Sequence, residues 1–479
     1  MGQVSGVPTE VVDQSKARVR APISPPPRKN SYLSFLLLKS IDHKRGSILV
    51  KRLLIFGRFI DFTMKKLNCS WHILCRISHM DLRSDYPFWL LDKGIIHSYP
   101  SLSEDIRTDI VIMGAGISGA LAAWHLCQAG FKTVVVDKRH VGMGSTAAST
   151  ALLQYEIDVP LRALIVKRGE RDAVQSYLLC LKAIADLESI CGHWPEAAFV
   201  KKPSLQYASY KKDVQGLSDE YKLRRKYGIA LQWLDKTAIS SKFGFEKEAA
   251  ILSRDAAEVK AYNLTHALLH RSRNMGVEVY DHTEITHFHE NKRGVELITE
   301  QGKKIKARKL IIACGYESAR YIPQKIQTLQ STYAIISEPS NKDHYWYRNA
   351  LIWETAQPYL YLRTTEDNRI LVGGKDDNFS DPRLRDKLLP AKAKALEIEF
   401  KKLFPAIHFR TDFKWAGTFA STKDGLPYIG CLPYKPHTYF ALGLGGNGIT
   451  FSVIAAQIIT RLALGLQDDD AHLFGFNRT

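Results

Sequence analysis

Residues 108–137 read TDIVIMGAGISGALAAWHLCQAGFKTVVVD, and the rest of the chain takes its meaning from them. The apolar run 109–113 has the composition of a short buried strand. Gly114, Gly116 and Gly119 follow at the spacing G-x-G-x-x-G. Residues 117–129 predict a helix, opened by the small side chains of Ala120, Ala122 and Ala123 and closed by Gly130. A second strand is expected over 132–136, with Asp137 at its end. Each glycine has a separate task. Gly114 permits the tight turn out of the strand, Gly116 lets a pyrophosphate approach bare backbone, and Gly119 lets the helix lie close on the sheet. Ile117 and Ser118 begin the helix, whose N-terminus offers free N–H groups and a positive dipole end to an anion. Asp137 stands where a carboxylate accepts hydrogen bonds from a ribose hydroxyl. Framed by strand, helix and terminal acid, the glycine triplet predicts a dinucleotide-binding β-α-β unit.

The next residues, from Lys138 to Ala151, read KRHVGMGSTAASTA. From Gly142 on they are almost wholly small, so a flat ring system and its pyrophosphate have room against the backbone. Ser145, Thr146 and Ser149 are candidate hydrogen-bond donors there. A tightly packed helix is the alternative reading. A second strand–glycine–helix unit closes the chain. Residues 439–442 predict a strand, 443–448 read GLGGNG, and 449–464 predict a helix, again aiming N–H groups at a bound group.

The chain has 479 residues and 45% hydrophobic content, enough for two domains or one elaborated large one. No apolar run approaches the roughly 18 residues of a membrane span, so no integral membrane segment is expected. Seven cysteines without C-x-x-C spacing predict free thiols in a reducing, cytoplasmic compartment. The sixteen histidines show no ligand spacing, and no metal is predicted. The net charge of +18 is unevenly distributed. Residues 1–79 hold 14 Lys and Arg against 4 Asp and Glu, whereas the remaining 400 hold 53 against 45. The excess therefore sits mainly in a basic, poorly ordered front extension rather than on a nucleic-acid-binding surface, with a basic amphipathic surface helix or a targeting segment within 32–62 as the alternative. Residues 80–89, MDLRSDYPFW, read as a natural chain start, so 1–79 are expected to be dispensable for activity.

Between the two glycine units the periodicities alternate. Helices are expected within 160–195, at 211–227 and at 261–275. Strands follow at 277–280 and 282–286, then a hairpin of 295–299 with 303–307, then a buried strand at 309–315 that ends at Gly315. Residues 331–336, 350–354, 359–363 and 369–374 predict an antiparallel sheet. A helix is expected at 390–404, and a loop with a short final strand at 415–430.

Five blocks together resemble the D-amino-acid-oxidase-like family of FAD-dependent oxidoreductases, which includes glycine, sarcosine and γ-glutamylputrescine oxidases. They are GAGISG at 114–119 with Asp137, GSTAAS at 144–149, LIIACG at 310–315, TKDGLPYIG at 422–430 and GLGGNG at 443–448. The resemblance is collinear from about residue 109 to the end. It implies an α/β (α+β) fold in which an FAD-binding Rossmann-like domain is interleaved with an antiparallel-sheet substrate domain. The flavin domain would take 80–155, 258–326 and 411–479, and the substrate domain 156–257 and 327–410. By match to the family pattern, Gly114, Ile117, Ser118, Gly119 and Asp137 would hold the ADP half, with Lys138 beside them. Ser145 and Thr146 would approach the pyrophosphate or ring, and the backbone of Ile285 would meet the adenine. Gly446, Asn447, Gly448 and Ile449 would offer N–H groups to the pyrimidine end of the ring, where donors favour negative charge.

Two departures bear on chemistry. Glycine-oxidase-like members clamp the substrate carboxylate with an Arg in the loop before the DGLP element, and here Phe419 stands in that place. A simple α-amino acid is therefore a less fitting substrate. Covalent members attach the flavin through a Cys in this region, whereas residues 417–422 contain none, so non-covalent FAD is expected. Candidate active-site residues are Lys375, Arg363 and Tyr361. A cation at Lys375 would favour reduced flavin, and the alternative is an exposed turn lysine. Tyr359 and Tyr361 share one strand face, as a substrate wall or as ordinary packing. Glu156 and Asp158 would steer a cationic amine, or are solvated loop carboxylates. The implied reaction is oxidation of a small-molecule amine at its C–N bond, with dioxygen as acceptor. The alternatives are a dehydrogenase with another acceptor and a non-catalytic flavin-binding protein. A nicotinamide enzyme would leave the second glycine loop unexplained.

Overall fold

The computed structural model describes residues 80–340 and 345–478. The basic extension 1–79 lies outside the described residues. Two sheets organise the rest.

The smaller sheet has eight strands and carries the first β-α-β unit. Five of them run parallel, in the order Lys435–Leu442, Lys304–Ile312, Ile106–Met113, Thr133–Val136 and Glu278–Tyr280. Tyr428–Leu432 flanks the first of these antiparallel. The second half of strand Ile106–Met113, from Ile110 on, is buried on both faces, as parallel strands are. Ile110 and Ile112 face helices Ile117–Gln128, Ala261–Asn274 and Gly448–Ala463, while Val111 and Met113 join a second core with Val295, Leu297 and Ile305. Each such side chain contributes about 1.5–3 kcal/mol on burial.

The expected hairpin arm 303–307 and buried strand 309–315 are one strand, Lys304–Ile312. Its first half alternates, with Ile305 and Ala307 inward, and pairs antiparallel with Gly294–Thr299. Its second half is buried on both faces between Ile106–Met113 and Lys435–Leu442. The change of burial pattern made one strand read as two. Likewise, the strand expected at 282–286 starts later, as Ile285–Asn291, and ladders against Gly294–Thr299.

The larger sheet has ten strands. At its centre Thr328–Ser337 pairs antiparallel with Thr411–Ser421 on one side and Ile370–Asp377 on the other. Tyr361–Thr364 and Leu351–Glu354 continue it, and Leu351–Glu354 runs parallel to Val200–Tyr207. Residues 415–421, read as loop, are therefore strand, held by a ladder along the whole of Thr328–Ser337. Arg83–Ser84 and Thr411–Ser421, placed by the sequence reading in flavin-domain segments, also belong to this sheet.

Helix Pro382–Leu403 covers its outer face, starting earlier than the expected 390–404. The side chain of Asp381 caps it by accepting from Leu384 N, Pro382 occupies the first turn, and Pro390 lies within the helix. Among the described residues, no helix is long and apolar enough to cross a membrane.

Candidate functional site

The first glycine turn is built by close backbone approach. Gly114 has φ +112°, and a Cβ there would lie 2.4 Å from Ala313 O. A Cβ on Gly119 would sit 1.8 Å from Gly114 O, so helix Ile117–Gln128 can dock only with glycine at that position. Gly119 is thus a packing residue. The turn is braced by side chains. Asp137 accepts from Ala115 N (2.7 Å) and Arg139 N (2.8 Å), and Thr146 Oγ1 accepts from Ile117 N (3.0 Å). Burial pushes the Asp137 carboxyl up, and those two N–H groups work against the rise. Thr146 therefore uses up an N–H that was expected to be free for phosphate. Gly116 and Ser118, whose N–H groups have no such partner among the described residues, line the cavity beyond.

That cavity opens to solvent and takes in about 2050 Å³ of empty space, open solvent included. Gly114, Gly116, Ile117, Ser118, Asp137, Lys138, Ser145, Thr146 and Ser149 line one part of it, with Ile285 and Gly315. Gly446, Asn447, Gly448 and Ile449 line another, so the two glycine bends share one continuous space. They are tied directly where Ser118 Oγ meets Ser452 Oγ, joining the helices that follow the bends.

The second bend is cross-braced to residues 154–158. Asn447 Nδ2 donates to Gln154 O (3.0 Å) and Glu156 O (2.9 Å), and Gly446 N donates to Asp158 Oδ2 (3.0 Å). The side chain of Asn447 is thus a brace, and one N–H expected to serve a ring is taken by Asp158. Tyr359 OH donates to Asp158 Oδ1 at 2.9 Å. Neither Glu156 nor Asp158 is a solvated loop carboxylate: both line the cavity, and burial pushes both carboxyls up.

Tyr361 lines the cavity as well. Its ring lies over Gly373, where a Cβ would come within 2.2 Å of it, and its hydroxyl faces Thr332 and Thr150. Lys375 and Arg363 do not line it. Lys375 adopts φ +59° at an irregularity in the Thr328–Ser337 pairing, and its Nζ points to Glu399 of the covering helix at 3.3 Å. The next residue, Asp376, turns inward instead. Arg363 is 3% exposed and donates to the carbonyls of Thr150, Ala151 and Val259 at 3.0–3.1 Å and to Thr364 O, beside Glu258 at 3.4 Å. It holds the cavity wall at 150–151 from behind and is a positioning residue.

Sequence reasoning missed several lining groups. Glu317 accepts from Lys138 Nζ (2.8 Å) and Arg139 Nη1 (2.9 Å), fixing two cations beside Asp137. Burial works against its charge, but those hydrogen bonds outweigh it and hold the carboxyl below its ordinary range. Trp353, Tyr316 and Asp376 also line the cavity, and burial pushes Asp376 up to about 6. A short acidic pair after Gly373 and Gly374, inside a sheet strand, was the one available signal. The fold also gathers His140, Asp281 and His282. Each imidazole Nδ1 lies 3.0 Å from a different oxygen of buried Asp281, which also accepts from Tyr99 N, so hydrogen bonds account for the trio.

The donor set fits a dinucleotide: two glycine bends, an acid at the end of the second strand, and small side chains between. Residues 109–462 match the family model described as FAD dependent oxidoreductase. The chain is similar to a glycine oxidase of Geobacillus kaustophilus, 24% identical over 74% of this chain and 93% of that one. It is also similar to a gamma-glutamylputrescine oxidoreductase of Escherichia coli, 23% identical over 77% and 86%. Among solved structures, the Geobacillus kaustophilus glycine oxidase aligns with TM-score 0.68 at 21% identity, covering 78% of this chain and 99% of that one. An L-proline dehydrogenase from P. horikoshii aligns with TM-score 0.65 at 19% identity, covering 78% and 97%.

Proposed function

Since this chain belongs to the family of FAD-dependent oxidoreductases, we propose that it oxidises a C–N bond of an amine or amino-acid derivative and passes the electrons to dioxygen. The observation that carries this reading is the single cavity lined by both glycine bends. The similarity to a glycine oxidase and a gamma-glutamylputrescine oxidoreductase supports the bond type. Phe419 lines the cavity where a carboxylate-binding Arg was sought, which argues against a simple α-amino acid.

The proposed roles follow from position. Gly116 and Ser118 present N–H groups to the pyrophosphate at a helix N-terminus. Asp137 faces the ribose and Lys138 lies beside it, while Ile285 meets the adenine through its backbone. Ser145, Thr146 and Ser149 line the path to the ring, and Gly446 to Ile449 frame its far end. FAD, when bound, supplies the acceptor for two electrons. The protein holds the amine as free base and keeps bulk water from it with Trp353, Tyr359 and Tyr361. In the net reaction the amine loses two electrons and two protons to become an imine, and dioxygen gains them as hydrogen peroxide. Water then hydrolyses the imine.

The two-sheet architecture supports the division into flavin segments 80–155, 258–326 and 411–479 and substrate segments 156–257 and 327–410, moved at Arg83–Ser84 and Thr411–Ser421 to follow the larger sheet. Cys127, Cys180, Cys191, Cys314 and Cys431 are unpaired, which supports a reducing, cytoplasmic setting.

The purified protein should show a flavin spectrum that amines bleach without oxygen, and an oxygen electrode should record uptake with the same amines. A colourless preparation that takes up no added FAD would end the reading. Bleaching without oxygen uptake would move the electrons to another acceptor.

A further inference from the structure

The cations lining the cavity are confined to the end beside the first glycine bend, where acids also lie, and the charged groups lining the other end are acids alone. The lining cations are Lys138, Arg139 and Arg320, and the first two are engaged by Glu317 beside Asp137. Around the second glycine bend the charged lining groups are Glu156, Asp158 and Asp376. Two of these have acceptor capacity left over. Glu156 is 5% exposed and its Oε2 has no hydrogen-bond partner, and the same holds for Asp376 Oδ1. Leaving such an oxygen buried and unpaired costs about 1–3 kcal/mol, more when charged. A wall of aromatic rings stands beside them: Trp353 and Tyr359 are 6.0 Å apart at 74°, and Tyr359 and Tyr361 are 5.9 Å apart at 58°. Carboxylates with spare lone pairs beside aromatic faces suit an organic ammonium.

We propose that the substrate is a diamine or polyamine without an α-carboxylate, one nitrogen being oxidised as free base while the other stays protonated against Asp376. The assignment rests on the amine-oxidising reading above. A substrate carboxylate has no counter-cation lining this end of the cavity, and Asp376 would repel it. Nearby Lys392 is turned to Asp377 Oδ1 (2.7 Å) and Lys375 O (2.8 Å) and does not line the cavity. Asp376 is ionised at pH 7.5, above the value of about 6 to which burial pushes it.

The test uses the FAD-loaded enzyme at pH 7.5 without oxygen. 1,4-Diaminobutane, butylamine and 4-aminobutyrate are titrated while the flavin spectrum is followed, giving a Kd from the spectral shift and a bleaching rate. The diamine should bind about 10- to 100-fold more tightly than butylamine, the range of a hydrogen bond to a charged group. 4-Aminobutyrate should be the weakest. Asp376→Asn should collapse the diamine-to-butylamine ratio while the flavin spectrum stays native. A wild-type measurement guards against a variant that fails to fold: added salt should weaken the diamine more steeply than butylamine. The proposal is overturned if 4-aminobutyrate matches the diamine, if the ratio survives D376N in folded protein, or if salt acts equally on both amines. A preparation that never holds flavin fails the amine-oxidising reading instead, whereas one bleached by glycine but indifferent to diamines fails this proposal alone.

Discussion

Ser118 Oγ and Ser452 Oγ lie 2.7 Å apart, although 334 residues separate them. Each sits in the first turns of a helix that follows a glycine bend, and Ser452 also donates to Gly448 O at 2.6 Å. The contact sets the spacing of the two helix starts that face the cavity. Ser118→Ala should lower stability by about 1 kcal/mol, the worth of one buried hydrogen bond, and weaken FAD retention. Chemical denaturation and fluorescence titration with FAD read the two effects. Unchanged FAD affinity would show that the contact serves stability alone.

Gly119→Ala is the sharper perturbation, because its Cβ would fall 1.8 Å from Gly114 O. Both atoms belong to elements that cannot shift separately. Purified variant should retain less than about a tenth of the wild-type flavin, a loss of at least 1.4 kcal/mol in binding. Flavin-to-protein absorbance ratio measures it.

Glu317 offers a pH test. Its carboxyl is held below the ordinary range in the fold, so its stabilisation is complete above the unfolded value and is lost as pH falls through the folded one. Glu317→Gln should therefore destabilise by about 1.5–3 kcal/mol at pH 7, the worth of a hydrogen bond to a charged group, and the difference from wild type should shrink in acid. Urea midpoints at pH 7 and in acid decide it. A difference independent of pH would assign the loss to geometry.

Asp376 behaves with the opposite sign. Burial raises it from the ordinary range to about 6, against a hydrogen bond from Thr332 and with repulsion from Asp158. The folded protein then holds more protons than the unfolded chain between about pH 4 and 6. Stability contributed at this position falls as pH rises through that window. Asp376→Asn should be more stable than wild type at pH 8 by about 2–3 kcal/mol and equal to it near pH 4. Thermal melts across that range would expose an error of sign.

Cys314 is the cysteine that lines the cavity, and burial pushes its thiol up while its Sγ is directed to Met113 O at 3.1 Å. A protonated, buried thiol is a poor nucleophile. Acid precipitation should leave all the yellow colour in the supernatant. Colour pelleting with the protein would indicate a covalent bond.

Legibility followed the range of the deciding interactions. The 114–119 turn and the 443–448 bend were readable because local backbone geometry demands glycine there. Tyr361 was readable because strand alternation puts it with Tyr359. Lys375 and Arg363 were misplaced because their directions depend on partners far along the chain. An irregularity in the Thr328–Ser337 ladder turns Lys375 outward and Asp376 inward. Arg363 is captured by carbonyls at 150–151 and 259. Residues 415–421 read as loop because their alanines, serine and glycine lack strand character by themselves, and their order comes from a ladder with residues 328–334. Glu317 was invisible for the same reason, since its two cations lie about 180 positions earlier.

Strand Lys435–Leu442 extends the smaller sheet beyond Lys304–Ile312, and the second bend and its helix follow directly after it. During vectorial synthesis the nucleotide half emerges hundreds of residues before that strand. The edge of strand Lys304–Ile312 therefore stays open until residues 435–442 leave the ribosome. Removal of residues 440–479, which carry the second bend and its helix, should leave a chain that is made but never coloured.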